Sequence, residues 1–257
     1  MSAERLPIVF FGHGSPMNAL GGRYAETWAA MAEAMPRPRS ILMISAHWFV
    51  EGVAVTAMEA PKTIHDFGGF PDELYRIRYP APGDLALAVR VSGLIAPEPV
   101  AFDQDWGLDH GTWSVLMHAY PGADIPVVQL SIDRTRPPDF HFEIGRRLKP
   151  LRDEGVLIAG SGDVVHNLGA ASRDGAPPHD WAERFDALVR HSLEAGPREA
   201  LVDYPALGED AMLSIPTPEH YLPMLYVLGA SEADEPVRVY NDEIDLAAVS
   251  MMSAVIG

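Results

Sequence analysis

The chain has no cysteine. That excludes disulfides, a thiolate nucleophile, iron-sulfur clusters and zinc-thiolate sites, so any metal must be held by nitrogen and oxygen donors. Positive charge is scarce: 19 Lys and Arg stand against 36 Asp and Glu, a formal charge of -17. Such a balance repels polyanions, and no run of Lys or Arg offers a local exception, so neither a nucleic-acid nor a membrane partner is expected. No segment sustains the apolar length of a membrane span. The amino terminus, MSAERLPIVFFGHGSP, has no cationic region leading into a signal-peptide core, which makes a cytoplasmic location the expectation. Internal repeats, low-complexity tracts and domain-dividing linkers are missing as well.

What is present is a chain of 257 residues, 47% of them hydrophobic, enough to bury a substantial core. Short apolar runs suited to buried strands are PIVFF (7-11), SILMIS (40-45), VAVTAM (53-58), IPVVQLSI (125-132), GVLIAGSG (155-162) and VRVYN (237-241). Helix-length amphipathic segments fall near 22-35, 84-95, 112-119, 138-151, 180-195 and 217-228. That alternation predicts a single α/β domain over residues 1-257, with a central mostly parallel sheet flanked by helices on both faces. In such sheets ligands gather where the chain leaves the carboxyl ends of the strands. Two long, aromatic-rich irregular stretches, 59-83 and 101-111, have the size of pocket walls or lids.

Histidines recur at those strand ends. PIVFF is followed by Gly12-His13-Gly14-Ser15, SILMIS by Ala46-His47-Trp48, and GVLIAGSG by Asp163-Val164-Val165-His166. Core packing does not require a histidine beyond the strand each time, whereas convergent metal ligation does, because every imidazole must reach one point. In PTPEHYLPMLY (216-226), Thr217 and Pro218 read as a helix start with Glu219 and His220 in its first turn. Either could serve a metal, His220 as ligand, Glu219 as ligand or outer partner. His110, in DWGLDHGTW beside Asp109, is an acid/base candidate.

The motifs FFGHGSP, ISAHW, HDFGGFP with YRIRYPAPGD, LDHGTW, PVVQLSID, GSGDVVHNL and PTPEHYLPMLY occur in that order. Together they resemble the class III extradiol ring-cleavage dioxygenases, in particular the 4,5-DOPA extradiol dioxygenase branch of the LigB-like family. The resemblance implies a LigB-like fold and a mononuclear non-haem Fe(II) site, with Zn(II) able to occupy the same pocket. It maps the metal-binding histidines onto His13, His47 and His220, and makes His166 either a further ligand or the acid/base. It places His110 near the substrate. In the wider family one ligand is a glutamate; the tail here offers both Glu219 and His220, and the branch pattern favours His220.

The implied reaction opens a DOPA-like or other substituted catechol with O2, outside the diol, to a semialdehyde. A histidine near neutral pKa can take the second hydroxyl proton and later return one; His166 is the first candidate and His110, oriented by Asp109, the second. Ser15, His65, Trp48 and Arg78 are the expected substrate contacts, with Phe67, Phe70 and Trp113 as further aromatic walls and Arg76 beside Tyr75 and Tyr79. The rival readings are a zinc-dependent hydrolase and a non-catalytic metal-binding protein on the same scaffold. The assembly expected is a monomer or small homo-oligomer.

Overall fold

In the computed structural model, which describes residues 5-172 and 175-257, alternation along the first strand shows how the chain makes two cores. In β1 (Ile8–Gly12), Ile8 and Phe10 enter one hydrophobic cluster while Val9 and Phe11 enter another. Successive strand residues point to opposite faces, so a strand apolar at every position must be covered on both. The helices α3 (Leu85–Ile95), α5 (Pro138–Leu148), α6 (Asp180–Ala195) and α8 (Leu222–Ala230) cover one face; α1 (Arg23–Glu33) and α4 (His110–Ala119) cover the other. Each fully buried Leu, Ile or Phe in these layers contributes about 1.5–3 kcal/mol.

The remaining strands are β2 (Ser40–Val50), β3 (Val53–Thr56), β4 (Val100–Asp103), β5 (Val127–Asp133), β6 (Val156–Gly162), β7 (Val237–Tyr240), β8 (Ile244–Asp245), β9 (Val249–Ser250) and β10 (Ser253–Ile256). Two short helices, α2 (Asp72–Arg76) and α7 (Glu209–Ser214), complete the set. The main sheet has eight strands in the order β4-β3-β5-β2-β6-β1-β10-β7. Its centre, β5-β2-β6-β1, is parallel, as the alternation predicts; β3 is antiparallel to β5, and β10 to β1 and β7. No helix among the described residues is long and apolar enough to cross a membrane.

Two boundaries differ from the sequence reading, and both matter for the site. The strand SILMIS does not end before His47. It runs on to Val50, pairing with β6 only through Ser45 and with β5 through a register shift between Ile44 and Phe49. Past Ser45, β2 is paired only with β5, and the bulge in that pairing spans His47. The helix expected from Thr217 begins at Leu222 instead, with Pro223 in its first turn, where a missing N–H costs nothing. Residues 216-221 form turns, so His220 sits in the approach to α8 and not inside it. The antiparallel strand β10 carries too short an apolar run to have been assigned from sequence.

Candidate metal centre

β2, β6 and β1 are neighbours, so their carboxyl ends bring His47, His166 and His13 to one side of the sheet. Glycine makes the approach possible. A Cβ on Gly162 would strike the carbonyl oxygen of His220, and one on Gly111 would strike Ser45 Oγ and His47 Cδ2. The ring centroids of His13 and His47 lie 5.0 Å apart, those of His13 and His220 5.4 Å, and those of His47 and His220 5.1 Å. One ligand atom from each of these three histidines lies within 4.8 Å of the others.

The polar neighbours of each ring favour one nitrogen for the proton and leave the other to the cavity. Ser161 Oγ donates to the carbonyl of Gly111 at 2.6 Å, so toward His13 Nδ1, 3.0 Å away, it can only accept. His47 Nδ1 lies 3.3 Å from Asp66 Oδ2, and His220 Nδ1 lies 3.3 Å from Glu219 Oε1, which also accepts from Thr217 Oγ1 at 2.7 Å. Ser161 and Glu219 bond to Nδ1 of His13 and His220, and the Asp66 carboxylate stands beside Nδ1 of His47, so these neighbours favour the tautomer with the proton on Nδ1 and a bare Nε2. The Nε2 atoms of His13 and His47 are 3.0 Å apart. Two lone pairs facing each other at this distance repel, and a cation between them removes the repulsion. Nitrogens about 2.1 Å from a common ion span about 3.0 Å when they meet it near a right angle. Asp163 Oδ2, buried without a donor and 3.7 Å from His13 Nε2, adds an unanswered acceptor to the same place. The donor set fits a divalent metal.

Burial keeps these rings neutral. It pushes His13 and His220 well below the usual histidine range, helped by the neighbouring imidazoles, and lowers His166 to about 4. His47 is lowered too, by burial and then by His110, with Asp66 opposing. Burial also raises Asp163 above the ordinary carboxylate range. Asp66 goes the other way, because its hydrogen bonds and charge contacts with His110 outweigh burial.

The consequence for the metal-free protein has a definite sign. Unfolded histidines take up protons near pH 6.5, while His166 and the core residue His141 resist until about 4, so stability falls as pH drops through that window. Each such histidine contributes a slope of about 1.4 kcal/mol per pH unit. Asp186, raised by burial to about 6, opposes this, losing stability as pH rises from about 3.8 to 6, but the depressed histidines outnumber the raised carboxyls. Urea denaturation of metal-free protein should show a midpoint that declines steadily from pH 6.5 to 4; a flat midpoint would contradict the buried neutral cluster.

His166 stacks on His220 with centroids 3.5 Å apart and planes 9° from parallel. Its loop is tied to the carboxyl-terminal segment: His166 N–H donates to Ser214, and Ser250 N–H to Val165. His110 starts α4, whose cap is Asp109, accepting from Thr112 N–H at 3.2 Å. Asp109 does not orient His110, because its carboxylate is engaged by Ser45, Gln129 and the cap. Asp66 does so, accepting from the His110 backbone N–H at 2.8 Å and from its Nδ1 at 2.9 Å. Asp66 thus steadies His110 and His47 together, a role missed in the sequence although HDFGG places a carboxylate next to a histidine.

A cavity of about 1120 Å³ opens over the cluster, lined by His13, His47, His110, His166 and His220. Ser15, Phe67 and Phe70 line it as well, so the 59-83 stretch does wall the pocket. Three other expected contacts are elsewhere. Trp48 is buried and stacks on Trp106, with centroids 5.6 Å apart. His65 turns its Nε2 to the carbonyl of Ile77, and the exposed Arg78 folds back on the carbonyls of Tyr75 and Ile77. His65 and Arg78 thus satisfy the loop's own backbone, and none of the three lines the cavity. Trp113 belongs to the core, its indole N–H donating to Ile64, and Arg76 pairs with Asp72 on the surface.

The family model for the catalytic LigB subunit of aromatic ring-opening dioxygenase matches residues 14-257. The chain belongs to the LigB family. A 4,5-DOPA dioxygenase extradiol of Escherichia coli K12 is 51% identical over 263 residues, spanning 100% of this chain and 97% of that protein. One of Beta vulgaris is 37% identical, over 92% and 91% of the two chains. Among solved structures, an uncharacterized Escherichia coli K12 protein superposes with a TM-score of 0.86 at 47% identity, covering 98% of this chain and 100% of that one. This LigB-family protein is an extradiol ring-cleaving dioxygenase.

Proposed function

We propose that the protein opens a DOPA-like catechol with dioxygen at one Fe(II) held by His13, His47 and His220, with His166 as the acid/base. The observation that carries this reading is the pair of bare Nε2 atoms of His13 and His47 facing each other at 3.0 Å. Iron(II) bound there supplies the electron exchange that lets triplet dioxygen react with a singlet catechol. Zinc, which imidazole also binds well, cannot do so.

The chain's own groups do the rest. Each ligand ring is held by an outer partner at Nδ1: Ser161 for His13, Asp66 for His47 and Glu219 for His220. Glu219, engaged with Thr217 and His220, thus orients a ligand and leaves ligation to the histidine. Phe67 and Phe70 offer apolar faces to an aromatic ring in the cavity. His166 is neutral and lines the same cavity, so it can accept a hydroxyl proton. A catecholate anion beside it raises its affinity for that proton, as any near negative charge does. His110, with Nδ1 committed to Asp66, keeps Nε2 free to donate or accept toward the substrate.

Asp66→Asn should weaken metal binding about 10- to 100-fold, the usual cost of removing an outer partner of a ligand, as measured by competition with a chelator. Unchanged affinity would remove Asp66 from the support of His47. The function itself is tested by stripping the protein, reloading it anaerobically with Fe(II) or Zn(II), and following oxygen uptake with a panel of catechols. Uptake with iron alone and a yellow semialdehyde is expected. Activity with zinc on phosphate-ester or amide substrates, and none with iron on catechols, would favour the hydrolase reading.

A further inference from the structure

The cavity extends from the histidines to a charged wall that ring opening does not use. α6 supplies Asp186 and Arg190, one turn apart, and the segment after β7 supplies Asp242, Glu243 and Asp245. Most of these charges answer one another. Arg23 donates to Glu243 at 2.8 Å and lies 3.5 Å from Asp245, which accepts from the Tyr24 hydroxyl at 2.7 Å. Asp186 accepts from Ser250 Oγ at 2.5 Å. Arg190 differs: its charge is felt by Asp186, but its Nη2 is shut off from solvent and finds no acceptor among the described residues. A buried donor left unmatched costs about 1–3 kcal/mol, and more when charged. Nη2 itself is closed to solvent, so a turn of the side chain toward the cavity that Arg190 lines is what would bring it to an acceptor there.

We propose that Arg190 determines substrate specificity by binding a carboxylate on the side chain of the catechol, an inference that rests on the ring-opening reading above. Guanidinium and carboxylate match in shape and charge, and Arg23, with both terminal nitrogens already engaged, does not compete for this role. The exposed acids Glu183 and Asp242 at the same end of the cavity disfavour an anion standing alone and favour one accompanied by an ammonium group. An α-amino acid head group answers both demands, with its carboxylate on Arg190.

The test uses the zinc-loaded protein, in which catechols bind without turnover. Calorimetry would compare DOPA, which carries the carboxylate, with DOPA methyl ester, which does not, on wild type, Arg190→Met and Arg190→Lys. Arg190→Met should weaken DOPA binding about 10- to 100-fold, the worth of a charged hydrogen bond, and leave the ester within about twofold. Arg190→Lys should recover part of the loss. The ester also reports whether the variants fold. Equal losses for both compounds, or none for either, would overturn the assignment of Arg190. Failure of wild type to bind both compounds would instead contradict the catechol site itself.

Discussion

Alanine in place of His13 should leave a folded protein that holds no iron and opens no ring. His13 is almost wholly buried beside the cavity, and the polar partner of its Nε2 is another ligand candidate, His47 Nε2, 3.0 Å away. Removing the ring deletes one of three converging lone pairs, so metal affinity should fall by well over the roughly 10- to 100-fold that a lost outer partner costs. Ser161→Ala supplies the graded comparison. It keeps the ring but removes the acceptor that holds the proton on Nδ1, so its loss should stay within that range. The His13→Ala apoprotein should unfold at a urea concentration near that of wild-type apoprotein, because one fewer buried imidazole offsets the cavity left behind, whereas Ser161→Ala should be less stable, since the Gly111 carbonyl and His13 Nδ1 both lose a buried partner. Metal content by elemental analysis and chelator competition would decide the matter. A His13→Ala protein that still carried one iron would place the metal elsewhere, and equal losses in the two variants would mean that His13 acts only through packing.

His166→Ala should behave in the opposite way: iron stays, turnover goes. The ring lies flat against His220 and lines the cavity; it is not in the group formed by His13, His47 and His220, although with Asp163 and His220 it forms a second set within ligand distance. A group that moves protons in the transition state is worth roughly 100- to 10,000-fold in rate. That factor should appear in kcat, with iron content and catechol affinity nearly unchanged. Loss of iron with loss of rate would instead make His166 a fourth ligand. Retained rate would move the proton work to His110, whose free Nε2 is the other candidate.

Much of this arrangement was legible in the sequence. Apolar runs ending in Gly12-His13 and in Gly162 with His166 nearby read as parallel strands with chemistry at their carboxyl ends, and they are neighbours in the sheet. His47 was found for a partly different reason than expected, since its strand continues past it and a bulge, which has no simple sequence mark, spans it. Partnerships across long separations were not legible. Asp66 and His110 are 44 positions apart, and Ser161 and His13 148, so only the fold reveals which acceptor meets which ring. The same limit misplaced Trp48 and Arg78, whose residue types suit a substrate pocket but whose nearest partners are Trp106 and their own loop's carbonyls. Arg190 gave no signal at all, because a helix in this chain carries many charged positions and only tertiary structure shows which of them faces a cavity.

The central claim is that dioxygen enters the ring at the histidine cluster. The most direct measurement is a single turnover of the iron-loaded protein with a catechol under 18O2, quenched quickly and reduced with borohydride so that the aldehyde oxygen cannot exchange with water. The product should carry two labelled oxygens, one in the new carboxylate and one in the alcohol derived from the aldehyde, and His13→Ala should yield none. An unlabelled product, or dioxygen consumed only to hydrogen peroxide with the ring intact, would contradict the account.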